Sequence, residues 1–405
     1  MQNLQNLKVK LISSFLIMAS LPSLLIYLYL NEITDFYYAK DLAHAKTIPV
    51  SYWEKDYINN KIKNKYKIAI FTCQGGEYWL AMRTQKAARN LGWEGKIFFQ
   101  SPFSIDDAFL EYDPDIVLYY GFENLNDSLF FFRGAIGNHH SKKYFYYNNH
   151  LSKASALQQA FNRNKHFFLF SDGILIKSPL MHMAEKLYKE QVGKEFIAMN
   201  FMDLVNELHY PPAEPKSVFY SGMQWDSRRS GTYFNELVSK ISSKVKFNIY
   251  GYINKFYSLK SLYQGSVGSD SNDIIELIHD NGIFLLMHAD RHLMDQISSS
   301  RLFEAAAANV IIISDKNQFV IDNFGDNILY FDHNKSTEEQ ADEIIKHVEW
   351  IKKNPEKAKE MANNCHKIFL EKFTMEKQLV KLAKMHEHVL EQDRKKGYKF
   401  PTKYD

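Results

Sequence analysis

The sequence predicts an α/β protein of two Rossmann-like domains in tandem, behind one N-terminal apolar segment. Three observations predict it. Short apolar runs such as Ile283–Met287 and Val310–Ile313 are separated by polar loops and helical patterns, as buried parallel strands joined by crossover helices would be. The strand–loop–helix–strand pattern that begins at Lys67 begins again at Ser217, with no residue-level repeat. Between the two lies Pro211-Pro212-Ala213-Glu214-Pro215, the clearest linker in the chain. The expected divisions are residues 1–30 (membrane-anchor helix), 31–65 (stem), 66–210 and 216–385 (the two domains) and 386–405 (tail).

Composition narrows the function classes. The 405 residues are 45% apolar and 15% aromatic, a globular composition. A net charge of +3 is too close to neutral to suggest a nucleic-acid partner. Cys73 and Cys365 fall in different domains and have neither disulfide nor metal spacing, so no metal is expected.

Leu11 to Leu30 carries no charge and has the length of one membrane-spanning helix. Lys8 and Lys10 precede it, and Glu32 and Asp35 follow it. This asymmetry puts the N-terminus in the cytosol and the domains on the far side of a single-pass span. The nearest small-residue cleavage pattern, Ala43-His44-Ala45, lies too far downstream for a cleaved signal peptide.

In the first domain, a strand from Lys67 leads through Gln74-Gly75-Gly76 into a helix over Glu77–Leu91, followed by a strand over Gly95–Gln100. Paired glycines at such a turn let backbone approach a ligand. A helix near Asp106–Leu110 and a strand over Ile116–Tyr120 come next, with Asp113-Pro114-Asp115 read as a turn. Strands are expected at Tyr144–Tyr147 and His166–Phe170, and helices at Met181–Lys189 and Met202–Leu208. His150 and Asp172 follow the two strands, where polar residues project from the carboxyl edge. They are the candidate catalytic bases, Asp172 first. Asp172 beside Gly173 also reads as a plain turn.

In the second domain, strands at Ser217–Ser221 and Phe247–Tyr250 flank a helix over Thr232–Ser242. Gly222 and Gly251 end those strands, and Arg228 and Arg229 lie in the first loop. A short helix over Asn272–His279 precedes the strand Ile283–Met287. After a polar loop, Ser298–Ser300 starts a helix over Arg301–Ala308, and Asn309 stops it. Arg301 sits at the positive end of that helix, a loss of about 0.3–1 kcal/mol unless an anion binds there. Glu304 is one turn on, where a carboxylate could accept hydrogen bonds from a diol. The plain alternative is an exposed i,i+3 ion pair. A last strand at Asn327–Phe331 and three helices, Thr337–Lys353, Glu356–Leu370 and Met375–Gln392, complete the chain.

Arg301-Leu302-Phe303-Glu304-Ala305 followed by Val310–Ile313 resembles the donor-binding segment of group 1 glycosyltransferases, enzymes of the GT-B fold. Asn354-Pro355-Glu356-Lys357-Ala358 is similar to their C-terminal tail. This chain has Gln296 where many members carry a second glutamate, and Asn309 where they usually have glycine. The resemblance implies two domains facing across a cleft, and a donor site in the second. In that site Glu304 holds the nucleotide ribose, and Arg301 and one of Arg228 and Arg229 hold the diphosphate; Ser300, Gly222 and Gly251 are further donor-binding candidates. It also implies a nucleotide sugar as donor, a carbohydrate-bearing acceptor, and no cofactor or metal. Two other readings of the pattern are a non-catalytic bilobed binding protein and a nucleotide-sugar epimerase, though the apolar anchor argues against the epimerase.

Overall fold

The computed structural model describes residues 65–72, 76–99, 107–120, 144–149, 172–176, 198–222, 226–251, 257–267 and 273–395. The predicted span Leu11–Leu30, the stem, the strand at His166–Phe170 and the helix at Met181–Lys189 lie outside these residues. Among the described residues no helix is long and apolar enough to cross a membrane.

The N-terminal sheet contains β1 (Lys67–Thr72), β2 (Glu94–Phe99), β3 (Ile116–Tyr119), β4 (Tyr144–Asn149), β5 (Gly173–Ile176) and β6 (Ala198–Asn200). They are all parallel, in the order β2-β1-β3-β4-β5-β6. α1 (Gly76–Asn90) and α2 (Asp107–Tyr112) make its first crossovers. The C-terminal sheet contains β7 (Ser217–Ser221), β8 (Phe247–Tyr250), β9 (Tyr263–Gly265), β10 (Gly282–Leu286), β11 (Ile311–Asp315) and β12 (Leu329–Phe331). It too is parallel, in the order β12-β11-β10-β7-β8-β9. Its helices are α3 (Gly231–Ser242), α4 (Asp273–Asn281), α5 (Asp290–Asp295), α6 (Ser300–Ala307), α7 (Gln318–Phe324), α8 (Thr337–Lys353), α9 (Pro355–Lys372) and α10 (Met375–Lys395). Every residue of β7, β10 and β11 is buried, as strands covered by helices on both faces require. The strand order reverses between β7 and β10, and the loops after those two strands flank the crevice where such sheets bind ligands.

The linker is held tightly. Asn309 ends α6 in the left-handed conformation, with φ 52°. Its Nδ2 donates to Tyr210 O at 2.8 Å, and its carbonyl accepts from Ala213 N at 2.9 Å. A glycine could adopt the turn but not make the side-chain bond, which accounts for asparagine here. Gly282, with φ 80°, passes so close that a Cβ would lie 1.9 Å from Glu214 O.

Residues 202–208 form no helix, contrary to expectation; they are irregular, with one bridge from Val205 to Thr374. The start of α10 takes up their backbone hydrogen-bonding groups. Gln378 brackets Met202, accepting from its N at 2.7 Å and donating to its O at 2.8 Å. Met375 N donates to Val205 O, and Glu376 Oε2 accepts from Glu207 N at 2.8 Å. α10 then crosses to the N-terminal domain. Glu376 accepts from Asn90 at 2.7 Å, Tyr66 donates to Glu387 at 3.0 Å, and the Tyr66 ring meets His386 edge-on at 5.4 Å. The helix runs on unbroken to Lys395, so residues 386–395 belong to it and not to a tail.

Candidate functional site

The carboxyl edge of the C-terminal sheet gathers two buried carboxylates. The first is Asp315, the last residue of β11 and fully buried. Its Oδ2 accepts from His288 N at 2.9 Å and from Arg228 Nη2 at 3.2 Å, and its Oδ1 lies 2.5 Å from His288 Nδ1. His288 Nε2 in turn lies 3.3 Å from Ser298 Oγ. Asp315 therefore links the loop after β7, the loop after β10 and the start of α6. Burial alone would raise its pKa, but the His288 contact and the Arg228 charge more than reverse this and hold the carboxyl below its ordinary range.

The second is Glu304, one turn into α6 and 3% exposed. Its Oε1 accepts from Arg83 Nη2 at 2.7 Å, and its Oε2 accepts from Arg301 Nη1. Burial pushes its pKa up, and the two guanidinium groups together bring it below the usual carboxylate range. The pair with Arg301 is therefore not the exposed helix-face ion pair of the plain alternative.

The structure places the residues anticipated in the second domain. Arg228 faces Asp315, with Asp290 3.6 Å from its Nε. Arg229 is held by Asp226, through Nε at 2.8 Å and Nη2 at 2.7 Å. Of the two arginines, Arg228 is the one bonded to Asp315. Ser299, not Ser300, caps α6, its Oγ accepting from Arg301 N at 3.4 Å. Gly222 lies over Tyr220, whose hydroxyl would be 2.7 Å from any Cβ added there. That hydroxyl is buried, without a hydrogen-bond partner among the described residues. Gly251 has φ 141° and serves β9: its N donates to Gly265 O, and its O accepts from Tyr263 Oη at 2.8 Å.

Asp172 requires a correction. It immediately precedes β5, which begins at Gly173, so it stands at the amino edge of the parallel sheet, opposite the carboxyl edge expected for it. The strand next to Asp172 in the described residues follows it and does not precede it, which reverses the end on which Asp172 falls. His150 follows the last residue of β4 and lies outside the described residues.

His288, Asp315 and Arg83 were not anticipated. His288 and Asp315 are polar residues directly after apolar runs, a readable signal for the carboxyl edge. Arg83 left none, since its partner is 221 residues away in sequence.

Two doubly wound parallel domains, with basic groups gathered at the edge of the second, define the GT-B class. The chain has the fold of that class. Residues 228–384 match the family described as glycosyl transferase-like. No curated protein matches the sequence. Among solved structures, a glycosyltransferase from Rickettsia africae is 13% identical, with a TM-score of 0.52 over 81% of this chain and 99% of that one. An alpha-glucosyltransferase in complex with UDP-glucose and DNA containing an abasic site is 11% identical, with a TM-score of 0.57 over 77% and 96%. Sucrose-phosphate synthase from Thermosynechococcus elongatus is 12% identical, with a TM-score of 0.53 over 81% and 100%. At these identities the likeness is one of fold.

Proposed function

We propose that this protein is a glycosyltransferase, which draws its sugar from a nucleoside diphosphate sugar and passes it to a glycan, lipid or protein acceptor. The observation that carries the reading is the pairing, inside the family segment, of Arg228 with Asp315 and of Arg301 with Glu304. Arg228, Arg301 and the start of α6 neutralise the diphosphate, a role taken elsewhere by a metal ion. Ribose hydroxyls approach Glu304 beside Arg301, whose side chain is 27% exposed. UDP-glucose in the complex of one structural neighbour supports the donor class. His150, next after β4, remains the candidate acceptor base. The uncharged run Leu11–Leu30 supports attachment to a membrane, with the N-terminus cytosolic and the catalytic domains across it.

The test is incubation with a panel of UDP-, GDP- and ADP-sugars and glycan acceptors. Release of free nucleotide together with a new glycoside is the expected result. An altered sugar still attached to nucleotide would mark an epimerase, and binding without turnover a bilobed binding protein.

A further inference from the structure

Arg83 belongs to the N-terminal domain, yet it holds the carboxylate expected to meet the donor. α1 and α6 each start after a strand of their own sheet, and they meet through the 2.7 Å bond from Arg83 to Glu304. Two guanidinium groups share that one carboxylate, which leaves one positive charge uncompensated in the contact. Arg83 is 7% exposed, and its Nε, itself buried, has no hydrogen-bond partner among the described residues. A buried cationic donor without an acceptor is costly, and an anion would remove the cost. The positive end of α6 adds to the same field, because Arg301 and Glu304 lie in its first turns.

We propose that Arg83 is the N-terminal domain's contribution to the donor site: with Arg301 it forms a two-domain anion site for the diphosphate of the donor. This rests on the donor reading above and extends it across the cleft. Glu304 then has two tasks. It orients both guanidinium groups, and it keeps them from repelling each other while the site is empty. A diphosphate held from both sides also ties donor occupancy to the arrangement of the two domains.

The test is calorimetric titration of the full chain with UDP, GDP and ADP, and with the corresponding nucleosides. For the diphosphate that binds, Arg83→Ala is expected to weaken affinity about ten- to hundred-fold, and to weaken nucleoside affinity by clearly less, since Glu304 keeps Arg301. Donor KM should rise by more than kcat falls. Arg83→Lys keeps the charge but not the planar fork, and should fall between parent and alanine variant. An Arg83→Ala protein that binds the diphosphate as the parent does, or more tightly, overturns the proposal; tighter binding would mark Arg83 as a latch competing with the ligand. If Arg83→Ala does not fold, parent-like affinity in Arg83→Lys overturns it equally. A parent that binds none of the nucleotides ends the donor reading itself, a different outcome from binding that is indifferent to Arg83.

Discussion

Glu304 and Asp315 are buried anions of the same domain, the first held below its ordinary pKa by two arginines and the second by His288 and Arg228, but they are built on different supports. Asp315 ends a strand, and each of its partners, His288 and Arg228, comes from its own domain. Glu304 rides on a helix, and one of its two partners comes from the other domain. The set around Asp315 is therefore fixed by the sheet and survives any movement between domains. The set around Glu304 exists only while the two domains keep this arrangement. One carboxylate builds the crevice, and the other senses what faces it.

The largest way to break this comparison is Asp315→Ala. It strips a bonded backbone N–H, an imidazole and a guanidinium of their shared acceptor, and removing one partner of a buried charged set costs about 3–5 kcal/mol. Urea denaturation should show that loss. A change under about 1 kcal/mol would mean that the loops hold themselves.

Glu304 variants should divide differently. Glu304→Ala should lower nucleotide affinity and transfer efficiency by about ten- to hundred-fold, through loss of a charge-assisted hydrogen bond worth roughly 1.5–3 kcal/mol. Glu304→Gln should lose less, because the amide oxygen still accepts. Its stability cost should stay below that of Asp315→Ala, because Arg301 can turn to water. Equal destabilisation by Glu304→Ala and Asp315→Ala would erase the distinction.

The smallest expected effect is in acid. Both carboxyls have folded pKa values below their unfolded ones of about 4, so each contributes stability that is present above that range. The contribution is lost as pH falls through the folded values. Stability measured from pH 6 downward should therefore decline below about pH 4, and less steeply in the Asp315→Asn variant, which has one such group fewer. Identical slopes would remove Asp315 from the account.

Much of the fold was legible because buried parallel strands have to be short apolar runs. Ser217–Ser221 and Phe247–Tyr250 fall on the strands observed, and Asn309 stops its helix as its tolerance of positive φ allows. Arg301 and Glu304 were legible as a charge in an awkward place followed by its partner. What failed was anything set by distant chain. Residues 202–208 have helical spacing, but their backbone is claimed by α10, more than 160 residues later. Asp172 changed edges because β5 begins just after it, and in a parallel sheet that decides which rim a residue occupies. Arg83 is one arginine on an amphipathic helix until the second domain arrives.

The crossing of α10 has a consequence for how the chain is made. Synthesis delivers the N-terminal sheet first, and domains generally fold as they emerge. Here the side of α1 that carries Asn90, the Tyr66 ring and the irregular segment at Met202 stay uncovered until Met375–Lys395 leaves the ribosome. The C-terminal sheet, complete at Phe331, can close earlier. The half translated first is thus the half finished last, and a ribosome that stops short of the final helix releases a molecule whose second domain is whole and whose first is not.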